Sequence, residues 1–371
     1  MEVEFTEEHE QLRAVVRKFC EERSPEASVR EWMATASGYD ERVWRQMARE
    51  LGLQGLIIAE EHGGAGFGDV ELVIAFEEMG RTLLCAPFFA TVALATHALL
   101  EIGDPQAQAD FLPAIAAGDS VATLAWSEGA GRSELDGLRA SATRDGAAWR
   151  VDGAKNPVID GAAADRILVA ARSEAGLGLF AVEGDAPGLR REALPPLDLT
   201  RKLARLELDG APARLVGAEG AAGPALERAL DRAVVCLAAE QVGAAQRCLE
   251  MAVAYARQRV QFGRPIGSLQ AIKHKCANLL MEVEAARSAA YHAAFCAAAG
   301  GEGLRAAASM AKSWCSEACF HAACENIQIH GGIGFTWEHP AHLYLKRAKS
   351  SSLLLGDPVF HRERLATELG L

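Results

Sequence analysis

Residues 259–270 read RVQFGRPIGSLQ, and residues 328–335 read QIHGGIGF. In the first stretch Arg259 stands beside a short turn carrying Gly263 and Gly267, with Gln270 just beyond. A planar guanidinium with several donors matches a pyrophosphate, which carries two negative charges. In the second stretch Gly331, Gly332 and Gly334 follow what reads as a helix end. One glycine suffices to cap a helix; a cluster also lets a flat ligand come close to the backbone. Plainer roles stand beside both: an arginine favoured by a helix C-terminal dipole, and a glycine cap. Neither GGAGFG nor GGIGFT keeps the G-x-G-x-x-G spacing after a strand, so a nucleotide is expected to bind otherwise than on a Rossmann turn.

Proton abstraction needs a titratable group in a dry pocket. Glu240 sits in a largely apolar helical run, Ala233 to Ala245, which predicts burial. A buried acid without a partner titrates high, as a base must. The alternative is a structural ion pair with Lys273 or with an arginine of a neighbouring helix. Asp231 lies just upstream of the same run. Asp357 before Pro358 reads as an N-cap. Cys315 and Cys319 share a helix face near His321 and Cys324, but no second tight pair follows, so packing is expected rather than a metal site.

These residues need elements to hold them. Residues 1–119 read as an N-terminal helical domain. A helix follows Thr6, a plausible N-cap, with Leu12, Val15, Val16, Phe19 and Cys20 at helical spacing. Further helices are expected over about 40–51, 70–80, 91–102 and 105–117, with the Gly-rich break EEHGGAGFGDVE before the second of these. Residues 120–217 carry short alternating runs (VATLAW, LRASATR, AAWRVDG, RILVAAR, GLFAVEG, LARLELDG) with Asp145-Gly146, Asp152-Gly153, Asp160-Gly161 and Asp209-Gly210 among them. That pattern predicts an antiparallel, β-barrel-like domain with Asp-Gly turns. Residues 218–371 are alanine-rich and periodic over about 224–258, 268–299, 302–329 and 353–369, a C-terminal four-helix bundle. The fold class is α+β.

The chain has 371 residues and a formal net charge of −12, which argues against nucleic acid as a general partner. The acidic start MEVEFTEEHE has no apolar run, and no stretch has the length of a membrane span. Nine cysteines, odd in number and without C-x-x-C, suit a reducing cytoplasm.

Helices, a β-domain and a bundle, in that order and with both glycine-bearing motifs inside the bundle, resemble the acyl-CoA dehydrogenases along essentially the whole chain. The resemblance implies FAD as cofactor, oxidation of the Cα–Cβ bond of an acyl-CoA thioester to the enoyl-CoA, and electrons passed to an electron-transfer flavoprotein. It also implies site residues. Arg259 would contact the FAD pyrophosphate across a subunit interface, and Phe262 would pack beside the adenine portion. Gln270, Gln328, Gly331 and Gly332 would approach a flavin bound mainly by a neighbouring subunit. Gln261 stands where the family usually has a hydroxyl residue. Such composite sites imply a homotetramer, or an α2β2 heterotetramer with a paralogue.

The ring of the flavin would rest at LAWSEGAGRS, with Trp126 beside it and Ser127 where a Thr or Ser commonly bonds it. The usual T-E-P-x-x-G-S-D becomes Ser127-Glu128-Gly129-Ala130-Gly131-Arg132-Ser133. The usual K-x-W-I-T-N-G becomes Lys155-Asn156-Pro157-Val158-Ile159-Asp160-Gly161, so a Trp and a Thr are lost. The base departs further. Most members place a Glu before a Gly-Thr near the C-terminus; here Leu355 precedes Gly356-Asp357, and leucine takes no proton. Others carry the Glu near the start of the first bundle helix, where Ala233 stands, or Asp231 if two residues are gapped. Asp231 and Glu240 are therefore the candidate bases. Some bacterial members of steroid side-chain breakdown resemble this chain and pair a base-bearing chain with one that completes the FAD sites. A non-catalytic partner subunit is the alternative function.

Overall fold

The computed structural model describes residues 5–129, 135–146, 148–301 and 303–371. Ala130-Gly131-Arg132-Ser133 of the expected ring motif lie outside the described residues. Packing divides the chain into two compact units. One comprises Met1–Arg30, Asp69–Leu84 and Val234–Leu371; the other comprises Glu31–Gly68 and Cys85–Ala233. Among the described residues no helix is long and apolar enough to cross a membrane.

In chain order the α-helices are α1 Glu7–Arg23, α2 Glu26–Met33, α3 Glu41–Arg49, α4 Asp69–Thr82, α5 His97–Ile102 and α6 Pro105–Ala116, then α7 Gly223–Gln258, α8 Gln270–Ala298, α9 Leu304–His330, α10 Ala341–Leu353 and α11 Pro358–Glu368. Side-chain caps start several of them where the sequence suggests. Thr6 Oγ1 accepts from His9 N at 3.3 Å while the His9 ring accepts from Thr6 N at 3.1 Å, a reciprocal capping pair. Asp40, Asp104 and Asp357 cap α3, α6 and α11 by accepting first-turn backbone N–H groups, with Pro105 and Pro358 in the first turns of the last two. The expected helix over 91–102 is a π-helix, Phe89–Thr96, running into α5.

Two expectations for the bundle need correction. Residues 353–369 are not one helix: the chain breaks between α10 and α11, where Leu355 (φ 59°) and Gly356 (φ 99°) turn left-handed. Helix α10 itself has no counterpart in the sequence reading. Nor does the short α2.

The first unit is built around charges that have found partners. Glu77 and Glu78 of α4 are buried. Arg13 Nη1 donates to Glu77 Oε2 at 2.8 Å and Glu78 Oε1 at 3.2 Å, and its Nη2 donates to Tyr291 Oη at 2.6 Å. Arg17 adds two bonds of 2.8 Å to Glu78, and Arg287 pairs with Glu77. Thus α1 and α8 are tied to one acidic turn of α4. Helices α4 and α7 are joined by Arg81, which donates to Glu250 at 3.0 and 2.9 Å, and at two glycines their backbones come together. A Cβ on Gly80 would drive into the carbonyl of Glu240, and one on Gly243 into the carbonyl of Glu77.

In the second unit the strands are β1 Ala122–Ala125, β2 Ser141–Asp145, β3 Ala148–Ile159, β4 Arg166–Ser173, β5 Gly176–Glu183, β6 Leu189–Leu194 and β7 Leu203–Val216. Pairings β4–β2–β3–β7–β5 return to β4, closing a ring, with β1 flanking β4 and β6 flanking β7. The ring is antiparallel at β2–β3, β3–β7, β5–β7 and β4–β5. Strands β1 and β2 join β4 in parallel, as long crossovers permit. Two of the four Asp-Gly pairs are not turns. Asp152-Gly153 lies inside β3. Asp209-Gly210 forms a bulge opposite Asp152, whose Oδ1 accepts from Gly210 N at 2.7 Å, and Gly210 takes φ 59°.

The α4–α7 contact gives a test. Gly→Ala within an exposed helix stabilises by roughly 1 kcal/mol. Gly243→Ala is expected to do the reverse, lowering stability by about 1–3 kcal/mol through overpacking. Urea unfolding followed by circular dichroism measures it, and an unchanged or raised midpoint would show that the two helices part freely.

Candidate functional site

After α7 the chain forms a minimal hairpin, β8 Val260–Gln261 against β9 Arg264–Pro265. Its tip, Phe262-Gly263, has φ values of 52° and 74°, the signature of a two-residue hairpin loop. Glycine accepts that geometry at no cost, whereas Phe262 is strained by it and yet stands 88% exposed. Backbone bonds fix the hairpin's base: Arg259 N to Tyr255 O at 2.8 Å and Ile266 N to Arg259 O at 2.8 Å. Ile266 packs with Ala252, Ala256 and Ile329, flanked by Tyr255, Leu269, Ile272 and Cys276. Because Ile329 lies between Gln328 and Gly331, this cluster joins the two motifs that the sequence separates. Gln270 opens α8 directly after the hairpin, and Arg259, Phe262, Gln270, Gln328, Gly331 and Gly332 are all exposed.

The glycines at the end of α9 divide by role. Gly331 caps the helix at φ 64°, its N–H reaching the carbonyls of Gln328 and Ile327. Gly334 is pressed against the Ile327 carbonyl, where a Cβ would sit at 2.9 Å. Gly332 has neither need: its φ lies outside the left-handed region and a Cβ there would meet nothing within 4 Å. The fold makes no use of its bareness, whereas an incoming group would. Among the described residues Arg259 forms no ion pair, so an exposed guanidinium and an open glycine backbone stand at the same end of the bundle. That donor set fits an anionic, flat-ended cofactor such as FAD.

In the second unit, Trp126 and Ser127 follow β1 and are buried. Ser127 and Asn156 are interlocked: Asn156 N donates to Ser127 O at 2.7 Å, and Ser127 Oγ donates to Asn156 O at 3.0 Å. Both expected ring motifs therefore form one wall. The Ser127 hydroxyl proton is committed to backbone, which leaves its lone pairs for an incoming donor. The indole Nε1 of Trp126 is buried with no partner among the described residues.

The candidate bases stand apart from one another. Glu240 is buried and accepts from Arg347 Nη1 of α10 at 2.8 Å, with both side chains nearly sealed from water. This geometry favours the ion-pair alternative, with Arg347 rather than Lys273 as partner. Asp231 is buried on the part of α7 that belongs to the second unit. Leu355 is buried in its left-handed turn, and its carbonyl accepts from His361 Nε2 at 2.9 Å, which fixes the proton on that nitrogen. Asp357 caps α11 through Phe360 N at 2.8 Å. Lys312, fully buried, holds the last carbonyls of α10, Ser351 at 2.9 Å and Ser352 at 3.2 Å, and donates to Ser316 Oγ at 3.0 Å. Burial pulls its pKa down to about 7. Cys315 Sγ donates to the Ala286 carbonyl at 3.3 Å within the bundle.

The acyl-CoA dehydrogenase N-terminal domain family matches residues 6–119, and the acyl-CoA dehydrogenase C-terminal domain family matches residues 223–370. Acyl-CoA dehydrogenase IpdE2 of Mycobacterium tuberculosis (strain ATCC 25618 / H37Rv) is 38% identical over 366 residues, 98% of each chain. The chain belongs to the acyl-CoA dehydrogenase family. A solved variant of the Tcur3481-Tcur3483 steroid ACAD has a TM-score of 0.89 at 34% identity over 98% of both chains. The ChsE4-ChsE5 complex from Mycobacterium tuberculosis has a TM-score of 0.90 at 29% identity over 100% of this chain and 99% of that one. The acyl-CoA dehydrogenases are flavoprotein oxidoreductases, and the α+β architecture expected from sequence is theirs.

Within the acyl-CoA dehydrogenase frame, sequence reasoning overlooked Arg264, a second exposed guanidinium on the hairpin. It also overlooked Lys312 and His361, which hold the turn around Leu355. Burial pushes the His361 imidazole down to about 3, with the charges of Arg364 and Lys312 adding to the effect. The unfolded chain takes up this proton near pH 6.5, whereas the fold refuses it until about pH 3. Its contribution to stability is therefore complete above about pH 6.5 and lost as pH falls, at up to about 1.4 kcal/mol per pH unit. Urea midpoints at pH 7.5 and pH 5 should fall more for the wild type than for His361→Gln, whose amide can still donate to Leu355. Equal losses would show that the ring titrates as a solvated group.

Proposed function

We propose that this chain takes part in FAD-dependent α,β-dehydrogenation of an acyl-CoA thioester, as the subunit that completes the FAD sites of an α2β2 assembly with a base-bearing paralogue. The observation that carries this is the state of Leu355. Leu355 stands in a left-handed turn whose backbone is braced by His361, and its side chain has no proton chemistry. Glu240, the other acid of the bundle core, is engaged by Arg347. The two-component names of the Tcur3481-Tcur3483 and ChsE4-ChsE5 relatives support the heteromeric reading.

Bound FAD would supply a hydride acceptor for Cβ while a base takes the Cα proton, and an electron-transfer flavoprotein is the expected acceptor of the electrons. The chain's own residues hold and orient. Arg259 would offer its guanidinium to the pyrophosphate, Phe262 would pack against the adenine portion, and Gln270 and Gln328 would bond polar edges. Gly331 and Gly332 admit the cofactor to the backbone. Trp126 and Ser127 wall the ring. Leu355 offers no group that could take a proton. A second reading, a self-sufficient enzyme, rests on the buried carboxyl of Asp231.

Purification alone and with a paralogue separates the two. The chain alone is expected to show no acyl-CoA-dependent bleaching of flavin absorbance, and the complex is expected to show it with straight-chain or steroid side-chain thioesters. Bleaching by the chain alone would sink the partner role, and Asp231→Asn with Glu240→Gln would then identify its base. Losing charge-assisted hydrogen bonds worth roughly 1.5–3 kcal/mol, Arg259→Ala should weaken FAD binding by about 10- to 100-fold. Equilibrium dialysis measures it, and unchanged affinity would remove Arg259 from the cofactor site.

A further inference from the structure

Next to Ser127 lies a charge pair, one member buried and the other half-buried, to which the reading above gives no role. Lys155 is fully buried. Its Nζ donates to Glu128 Oε1 at 2.6 Å and to the Trp126 carbonyl at 3.4 Å. Glu128 also accepts Arg139 N at 2.6 Å and Ala140 N at 2.9 Å. A backbone bridge pairs Glu128 with Asn156. One carboxylate thus gathers the end of β1, the approach to β2 and the middle of β3. Apolar residues of similar volume often hold a core as well as a buried ion pair does. The ring of strands is closed by backbone pairings of β2, β3, β4, β5 and β7, and the two charges adjoin the residues that would face a flavin.

We propose that Glu128 and Lys155 are a positioning pair for the flavin ring. They register Ser127 and Asn156 as one wall, and they cancel each other's charge beside it. The proposal rests on the reading that Ser127 borders the ring. A lone charge at this largely shielded position would act on a cofactor whose own charge changes on reduction. With Lys155 gone, the Glu128 carboxylate opposes the gain of electrons. With Glu128 neutralised, the ammonium favours it. Burial lowers the Lys155 pKa against the pull of Glu128, so the second effect fades as pH rises. For Glu128, burial pushes the pKa up, but the Lys155 bond and the two backbone N–H groups override it and leave it below the usual carboxylate range.

The test is the flavin midpoint potential of the full chain, purified alone or with its co-purifying partner and titrated against reference dyes. Lys155→Met should shift the reduction equilibrium about tenfold toward oxidised flavin, about 30 mV downward for a two-electron couple. Glu128→Gln should shift it upward, with the shift shrinking at higher pH, and the double variant should lie near the wild type. Opposite signs are the signature, because mere loosening of the wall would move both variants the same way. Shifts of one sign, or none, overturn the proposal. If Lys155→Met fails to fold, Lys155→Gln carries the same predicted sign. A wild-type protein that holds no flavin in either form would overturn the flavin reading itself, whereas normal binding without opposed shifts overturns only the pair.

Discussion

The first unit depends on a contact made without side chains. Gly80 and Gly243 bring the backbones of α4 and α7 together at the carbonyls of Glu240 and Glu77. That meeting fixes α7 along its axis. Arg259 emerges from its far end, about 24 Å beyond Gly243 at the rise of an α-helix. The same contact holds the acidic turn of α4 against the arginines of α1 and α8 and sets Glu240 within reach of Arg347. Two residues with no side chain thereby locate a set of charged groups spread over several helices.

How much of this can be read from the chain varies with the range of the interaction. Caps are local, so Thr6, Asp40, Asp104 and Asp357 announce their helices through types and spacings that act within a few residues. The break at Leu354–Gly356 is hidden, because a run of leucines looks like continued helix and only the φ values of Leu355 and Gly356 betray the turn. Asp209-Gly210 misleads for the opposite reason: a glycine that permits a left-handed residue serves a bulge as well as a turn. The hairpin and glycine motifs are visible as motifs, but their union is not, since it rests on Ile266 and Ile329 meeting across the fold. Nor can pattern choose Arg347 as the partner of Glu240, because the two are far apart in sequence.

Four ionisable groups withdrawn from water share one logic: each is placed where a partner already waits. Glu77 and Glu78 receive arginines, Glu128 receives Lys155 and backbone donors, and Lys312 receives the open carbonyls of a helix end. Lys312 does for α10 what a C-terminal glycine does elsewhere, but from inside the core, so the turn that follows is held from within. The bonds around Leu355 are made by its backbone and its neighbours, so they do not depend on what that side chain carries.

The hairpin tip has a consequence for the cell rather than for the molecule. A chain that holds Phe262 strained and bare, with Phe335 and Trp337 also in water, is adhesive until something covers it. On the two-subunit function proposed above, its lifetime as a free chain would depend on how fast it met that companion, in competition with chaperones and proteases that bind the same kind of surface. Supply would then have to match: too little would leave assemblies unfinished, and too much would leave orphans to be cleared. Balanced synthesis would be a requirement set by this surface.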